Sequence, residues 1–213
     1  TVKNSGMIDS SNPCSEYMFL NDTSCNLNSL NLLKFADKEG NLNIHDLERG
    51  FRTMMIAADI ANDAASYPHP DIARLSPEFR TTGVGYANLG ALLMRKGIPY
   101  DSNEGRAYAG AITALMQAET LRTSAELSKG LGPFVHYAIN KEPMMDVVKK
   151  HRAAIEQIGN WQPVYGENFD NKSVKGLEAL IDESRKRMDD AVELGSKHGY
   201  RNAQTTVIAP TGT

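Results

Sequence analysis

Three side chains with complementary chemistry stand at alternate positions near the start of the chain: Asn12, Cys14 and Glu16. Pro13 disfavours the helical conformation for the residue before it, so we expect an extended segment that presents all three side chains on one face. A carboxylate can accept a proton, and an amide can donate and accept hydrogen bonds. A thiol can act as nucleophile, metal ligand, redox partner or hydrogen-atom donor. The pattern therefore predicts a site for a ligand with hydroxyl groups.

Cys25 is the second of the two cysteines in the chain. Two cysteines are too few for a disulfide framework and lack the spacing of a metal site, so catalysis, redox work and simple burial are all open interpretations. A local disulfide between Cys14 and Cys25 is another. The five histidines also lack ligand spacing, and we assign no metal ligand among them: His45, His69, His136, His151 and His198.

The composition is that of an ordinary soluble globular protein, with 213 residues, 41% hydrophobic and 23% charged. A formal net charge of -3 argues against a nucleic-acid polymer or an anionic membrane surface as partner. A nucleotide held by a few local donors is still compatible with this charge. No apolar run approaches the roughly 20 residues of a membrane span, and the first residues lack the features of a signal peptide. We therefore expect a cytoplasmic protein.

Helical periodicity is the clearest secondary-structure signal. It predicts helices over about residues 26–35, 44–66, 83–95, 102–129, 143–158 and 174–198. We expect a short strand with a loop within residues 1–20, a connector over 71–82, an irregular stretch over 161–172 and a buried strand over 205–209. Together these elements predict a helix-rich α/β chain.

Gly83 and Gly85, with Gly90 beyond them, partly match a dinucleotide-binding pattern. The spacing lacks the third glycine of that pattern, and no preceding strand is evident. We therefore interpret them as helix-packing glycines, of which Gly85 and Gly90 permit the close approach of another backbone.

Three segments resemble one known family. Residues 12–32 resemble the finger-loop segment of the ribonucleotide reductase large chain, especially its adenosylcobalamin-dependent class. This segment begins with Asn-Pro-Cys-Ser-Glu and contains Ser-Cys-Asn-Leu at positions 24–27. Residues 200–204, Tyr-Arg-Asn-Ala-Gln, lead into 209–213, Ala-Pro-Thr-Gly-Thr, which resembles the substrate-phosphate loop of that family. Residues 80–90 also resemble a family segment. The resemblance thus covers nearly the whole chain.

The resemblance implies a fold, because the catalytic chain of this family is a ten-stranded α/β barrel with the finger loop threaded through its centre. Residues 1–213 would form part of that barrel domain, with the finger loop near 12–25 and the phosphate loop at 209–213. We expect an internal fragment of a longer protein. Apolar helix faces would lack the strands they cover, so we expect it to be inactive alone.

The resemblance also implies roles for individual residues. Cys14 would become a thiyl radical that takes the hydrogen atom from the ribose 3′ carbon, Glu16 would accept the 3′-hydroxyl proton, and Asn12 would hold the sugar. Cys25 would be one half of a redox pair whose partner lies outside this chain. The remaining residues implied to contact the substrate are Ser11, Pro13, Ser15, Pro210, Thr211, Gly212 and Thr213.

By the same resemblance, the cofactor would be adenosylcobalamin and the substrate a ribonucleoside di- or triphosphate. A thioredoxin-like protein would supply reducing equivalents, and a homodimer is compatible with the family. One alternative is the same reaction driven by a separate radical-generating subunit. Another is a non-catalytic helical interaction domain in which Cys14 and Cys25 are merely buried.

Overall fold

The computed structural model describes residues 1–159 and 171–210 of the chain. Within these ranges the protein contains six α-helices and a small parallel sheet, so the predicted helix-rich α/β architecture is confirmed. The strands are β1 (Asn26–Asn31) and β2 (Thr82–Ala87), and the helices are α1 (Ile44–Ala64), α2 (Pro70–Phe79), α3 (Leu89–Lys96), α4 (Asn103–Leu131), α5 (Tyr137–Ile155) and α6 (Leu177–His198). None of these helices combines the length and the apolar character needed to cross a membrane.

Local capping explains where the best-predicted helices begin and end. The Asn43 side chain accepts a hydrogen bond from the Asp46 N–H at the start of α1, and Ser102 Oγ accepts one from the Gly105 N–H, 2.9 Å away, at the start of α4. Helix α6 ends before Gly199, whose φ of 73° suits a residue without a β-carbon. The predicted helices over 44–66, 102–129 and 174–198 are therefore confirmed.

Two predicted helices are wrong over their first halves. Residues 26–31 form β1 and only Leu32–Phe35 forms a single 3₁₀ turn, while residues 82–87 form β2 and the helix α3 begins at Leu89. The two strands pair in parallel from Asn26 opposite Thr82 to Asn31 opposite Ala87. A short apolar run does not distinguish a buried strand from a helix by periodicity, and here pairing between distant segments decides.

Three smaller predictions also need correction. The predicted connector over 71–82 contains α2, which starts with Pro70 in its first turn and includes Pro77. Helix α5 begins at Tyr137, so Pro143 lies inside it and not at its start. Residues 1–20 contain turns and no strand. Most of the predicted irregular stretch, residues 161–170, lies outside the described residues.

The segment near the end of the chain adds a third line of parallel pairing. Thr206 forms a parallel bridge with Val84, the Thr82 N–H donates to the Gln204 carbonyl at 3.0 Å, and the Val207 N–H donates to the Val84 carbonyl at 3.2 Å. Strand β2 therefore lies between β1 and residues 204–207. The predicted strand over 205–209 is thus reduced to a bridge at Thr206 with neighbouring backbone hydrogen bonds, and residues 204–207 are called here the last strand.

The two faces of this sheet have different neighbours. Val84 and Thr82 point towards helices α1 and α4, where Val84 is fully buried and the Thr82 hydroxyl contacts the sulfur of Met55. The opposite face carries Gly83, Gly85 and the side chain of Leu27, which is 52% exposed. The Cys25 sulfur lies on this second face, beside Gly83.

Candidate active site

Residues 12–17 form a tight turn, called here the finger turn. The Ser15 N–H donates to the Asn12 carbonyl at 3.0 Å, the Tyr17 N–H donates to Asn12 Oδ1 at 3.0 Å, and the Asn12 N–H donates to the Tyr17 carbonyl at 3.3 Å. Ser15 has a positive φ of 63°. The expected extended segment is therefore wrong, because the Asn12 side chain bonds the backbone across a turn.

Cys14 lies at the exposed tip of the finger turn, between the exposed residues Pro13 and Ser15. Ser11 Oγ donates to the Asn12 carbonyl at 2.9 Å and lies 3.2 Å from Ser15 Oγ, which supports the turn from its first side. Cys14 and Cys25 are both free thiols, so the local disulfide is not formed. The interpretation of Cys14 as a buried thiol is wrong.

Glu16 and Cys25 form the chemically unusual pair of the site. Burial, and after it the negative charge of Glu16, raises the pKa of the Cys25 thiol to about 12. The Glu16 Oε2 atom is buried and has no hydrogen-bond partner among the described residues. At neutral pH the Cys25 thiol therefore stays protonated, within electrostatic reach of the Glu16 carboxylate.

Two glycines of β2 allow other parts of the chain to approach this strand closely. A β-carbon on Gly83 would lie 2.7 Å from Cys25 Sγ and 2.7 Å from Val207 Cγ2, and one on Gly85 would lie 2.6 Å from the Val207 carbonyl oxygen. The close backbone approach predicted at Gly85 is confirmed, although Gly85 lies in a strand and not in a helix. Any larger residue at Gly83 would force the sulfur and Val207 apart.

The segment after Val207 leads towards the predicted phosphate loop. Ala209 is half-buried and Pro210 is exposed. Thr211, Gly212 and Thr213 lie outside the described residues. The structure thus brings Cys25 beside the strand that precedes the predicted loop.

Hydrogen bonds from α4 hold this last strand in place. The Gln117 side chain donates to Thr205 Oγ1 at 3.3 Å and accepts from Thr206 Oγ1 at 2.5 Å, while Thr120 Oγ1 lies 3.1 Å from Thr205 Oγ1. Thr120 and Thr205 are both buried. These contacts fix the position from which the chain continues to Pro210.

A buried polar network, which the sequence did not predict, joins two of the family-like segments. Arg80 Nε donates to Asp59 Oδ1 at 2.9 Å, and its two terminal nitrogens donate to Asp63. Asn202 Nδ2 donates to Asp59 Oδ1 at 2.8 Å and to the Arg80 carbonyl at 2.9 Å, and Ser124 Oγ donates to Asn202 Oδ1 at 2.8 Å. The network positions β2 against the last strand, and no local spacing could have revealed it.

A polar cleft of about 340 Å³ opens beside the finger turn. Its walls include Ser11 and Asn12, two of the residues in which the sequence predicts ligand contacts, and the ring of Tyr17. This volume lies near the lower end of the range of small-molecule sites. Cys14 lies on the turn that borders this cleft.

Comparisons with known proteins identify the family. The model of the ribonucleotide reductase barrel domain matches residues 1–213. Three similar relatives are each named vitamin B12-dependent ribonucleotide reductase. The protein of Agrobacterium fabrum is 47% identical, and the match covers 98% of this chain and 17% of the relative. The protein of Rhodopirellula baltica is 46% identical, and the match covers 100% of this chain and 19% of the relative. The protein of Bradyrhizobium diazoefficiens is 48% identical, and the match covers 100% of this chain and 17% of the relative.

The chain thus spans less than a fifth of the length of these three curated relatives. Within that part the relatives cover 98–100% of this chain. The predicted resemblance is confirmed: the chain belongs to the family of ribonucleotide reductase barrel domains.

Proposed function

We propose that this chain supplies part of the active site of an adenosylcobalamin-dependent enzyme that reduces ribonucleotides to 2′-deoxyribonucleotides. The observation that carries the proposal is the buried Glu16 Oε2 atom, which has no hydrogen-bond partner within the described part of the chain and raises the pKa of the Cys25 thiol, together with the position of Cys25 beside the strand that leads to Pro210. The names of the relatives support the reaction and the cofactor. No observation favours a separate radical-generating subunit or a non-catalytic interaction domain.

Three residues of the finger turn carry the first steps. As a thiyl radical, Cys14 takes the hydrogen atom from the ribose 3′ carbon, which re-forms its S–H bond and leaves the unpaired electron on the sugar. After the 2′ carbon is reduced, Cys14 returns a hydrogen atom to the 3′ carbon and becomes the thiyl radical again. Glu16 accepts the proton of the 3′-hydroxyl while the protonated 2′-hydroxyl leaves as water. Asn12 Oδ1 already accepts from the Tyr17 N–H, so its amide N–H groups are the part that donates to the sugar.

Cys25 supplies one of the two reducing equivalents. Its raised pKa keeps the thiol protonated, so it delivers the proton for the leaving water together with an electron. A second thiol from elsewhere in the full-length protein supplies the other electron and proton, and the two sulfurs join in a disulfide. We propose that a thioredoxin-like protein reduces this disulfide, as thiol–disulfide exchange allows.

The exposure of Cys14 fits a bulky cofactor, because a large ring system can reach a thiol at the tip of a turn. Cys14 is therefore the residue that would face adenosylcobalamin. When bound, this cofactor supplies the radical that removes the hydrogen atom from the Cys14 thiol. The more buried Cys25 fits the redox role better.

We propose that the substrate phosphates bind at residues 210–213, where backbone N–H groups and threonine hydroxyls after a strand can hold an anion. Ser11, Pro13 and Ser15 would line the sugar side of the same site. The substrate is a ribonucleoside di- or triphosphate. We further propose that the enzyme is a cytoplasmic homodimer.

The test uses the full-length protein with ribonucleoside di- and triphosphates and a dithiol reductant. Adding adenosylcobalamin should yield deoxyribonucleotides without any second subunit, and omitting it should yield none. The C14S variant should lose all reduction. The C25S variant should lose turnover but still cleave the 3′ carbon–hydrogen bond, measured by loss of isotope from that position. Turnover without the cofactor, or turnover by C14S, would refute the proposal.

A further inference from the structure

We propose that Tyr17 is a positioning residue. It fixes the finger turn to the rest of the fold and so sets the distance between the Cys14 sulfur and the hydrogen atom that it takes from the substrate. This inference rests on the proposed function. Tyr17 follows Glu16 directly and is half-buried. Its backbone forms hydrogen bonds within the finger turn, and its side chain contacts Thr81, just before β2.

The backbone of Tyr17 closes the finger turn. Its N–H donates to Asn12 Oδ1 at 3.0 Å, and its carbonyl accepts from the Asn12 N–H at 3.3 Å. These two hydrogen bonds join the two ends of the turn. Wherever Tyr17 is held, Cys14 at the tip is held with it.

The side chain of Tyr17 attaches this closed turn to the protein. Its hydroxyl oxygen lies 2.9 Å from Thr23 Oγ1 and 3.0 Å from Thr81 Oγ1, and Thr81 is completely buried just before β2. The Thr23 hydroxyl donates its own proton to the Leu20 carbonyl, and the Thr81 hydroxyl donates to the Ser24 carbonyl. The phenol is therefore the donor in this cluster, and its single proton goes to one of the two threonine oxygens at a time.

Packing and charge link the same residue to the redox thiol. The ring of Tyr17 stacks on Phe19, with centroids 5.9 Å apart, and Phe19 packs edge-on against Phe79. Ser24, whose carbonyl accepts from Thr81, immediately precedes Cys25. The pKa of Tyr17 is raised to about 12, mainly by burial and to a smaller extent by the charge that Cys25 carries when it is ionised, so the phenol stays a hydrogen-bond donor at neutral pH.

The matched experiment removes one phenol oxygen at a time from the full-length protein. Y17F loses the hydroxyl but keeps the stacked ring. Y86F is the control, because Tyr86 is also half-buried and its hydroxyl lies 2.8 Å from Thr113 Oγ1, away from the finger turn. Y17F should lower kcat about tenfold and change KM less than about twofold, whereas Y86F should keep both.

Two further readouts separate positioning from a general loss of folded protein. With substrate deuterated at the 3′ carbon, the isotope effect on kcat should rise in Y17F, because a misplaced Cys14 makes hydrogen transfer rate-limiting. A smaller fraction of folded protein would leave this isotope effect unchanged. Backbone amide exchange at Ser15 and Tyr17 should quicken about tenfold in Y17F and not in Y86F.

The outcomes distinguish this inference from the function on which it rests. If wild-type protein forms no deoxyribonucleotide, the proposed function fails. If Y17F exchanges its Ser15 and Tyr17 amides at the wild-type rate, the positioning role fails whatever the activity. An active Y17F enzyme with an unchanged isotope effect would equally overturn it.

Discussion

The Cys25 sulfur and the Val207 side chain meet over Gly83, each 2.7 Å from the position that a β-carbon on that glycine would take. Cys25 comes just before β1, Gly83 belongs to β2, and Val207 belongs to the last strand. Three distant parts of the sequence therefore share one small volume. A single methyl group there would disturb the candidate redox thiol and the strand that leads to the predicted phosphate loop.

Replacing Gly83 by alanine should sharply reduce activity. The added methyl would lie 2.5 Å from Leu27 Cδ2 as well as against Cys25 and Val207, and such overpacking costs about 1–3 kcal/mol. We expect kcat of the full-length enzyme to fall at least tenfold. The matched control is G130A in α4, which has nothing within 4 Å of its new β-carbon and should be neutral or slightly stabilising. Equal activity in both variants would contradict the packing described here.

The two thiols should react with iodoacetamide at very different rates. Cys14 is exposed, whereas the pKa of Cys25 is raised from its ordinary value of 9.0 to about 12, so only about one Cys25 in ten thousand is thiolate at pH 8. Mass spectrometry after short labelling should find the modification on Cys14. If Cys25 were labelled before Cys14, the described burial of Cys25 and its raised pKa would be contradicted.

The contribution of Cys25 to the stability of the folded state should decrease at high pH. Because folding raises this pKa, the protonated thiol favours the folded state at pH values below about 9, and that contribution is lost as the pH rises towards 12. Cys25 alkylation in a C14S background should accordingly rise through pH 12 and not near pH 9. A midpoint at the ordinary thiol value would contradict the prediction.

Neutralising Glu16 should lower the pKa of Cys25. The Glu16 charge is the second cause of the raised value after burial, so the pKa in E16Q should fall but stay above that of a free thiol. The measurement is the pH profile of Cys25 alkylation in the C14S background. D22N is the control, because it removes an exposed carboxylate from the same part of the chain. Superimposable profiles for E16Q and D22N would mean that Glu16 and Cys25 do not interact.

Truncating Asn202 should loosen the junction between β2 and the last strand. N202A leaves the buried carboxylate of Asp59 without one of its donors and Ser124 Oγ without an acceptor, which should cost about 3 kcal/mol locally. Amides at Arg201 and Ala203 should then exchange on the order of 100-fold faster. The exposed Asn21, which donates to Asp9 at 2.7 Å, provides the control variant N21A, and its exchange should match the wild type.

The sequence alone determined the elements whose signals are local. Helices α1, α4 and α6 follow from apolar periodicity and from caps such as Asn43 and Ser102, which require only neighbouring residues. The family was also predicted from the sequence, because residues 12–32 contain a family-like motif in consecutive positions. The same residues predicted which side chains could do chemistry.

Tertiary structure decided how those side chains are arranged. Residues 26–31 are a strand because they pair with residues 82–87, and no local pattern encodes that partner. Glu16 affects Cys25, while Cys14 lies exposed, because the Asn12 side chain bends the backbone into a turn. The raised pKa of Cys25 and the network of Asp59, Arg80 and Asn202 likewise depend on burial and on contacts between distant segments, and only the folded chain creates them.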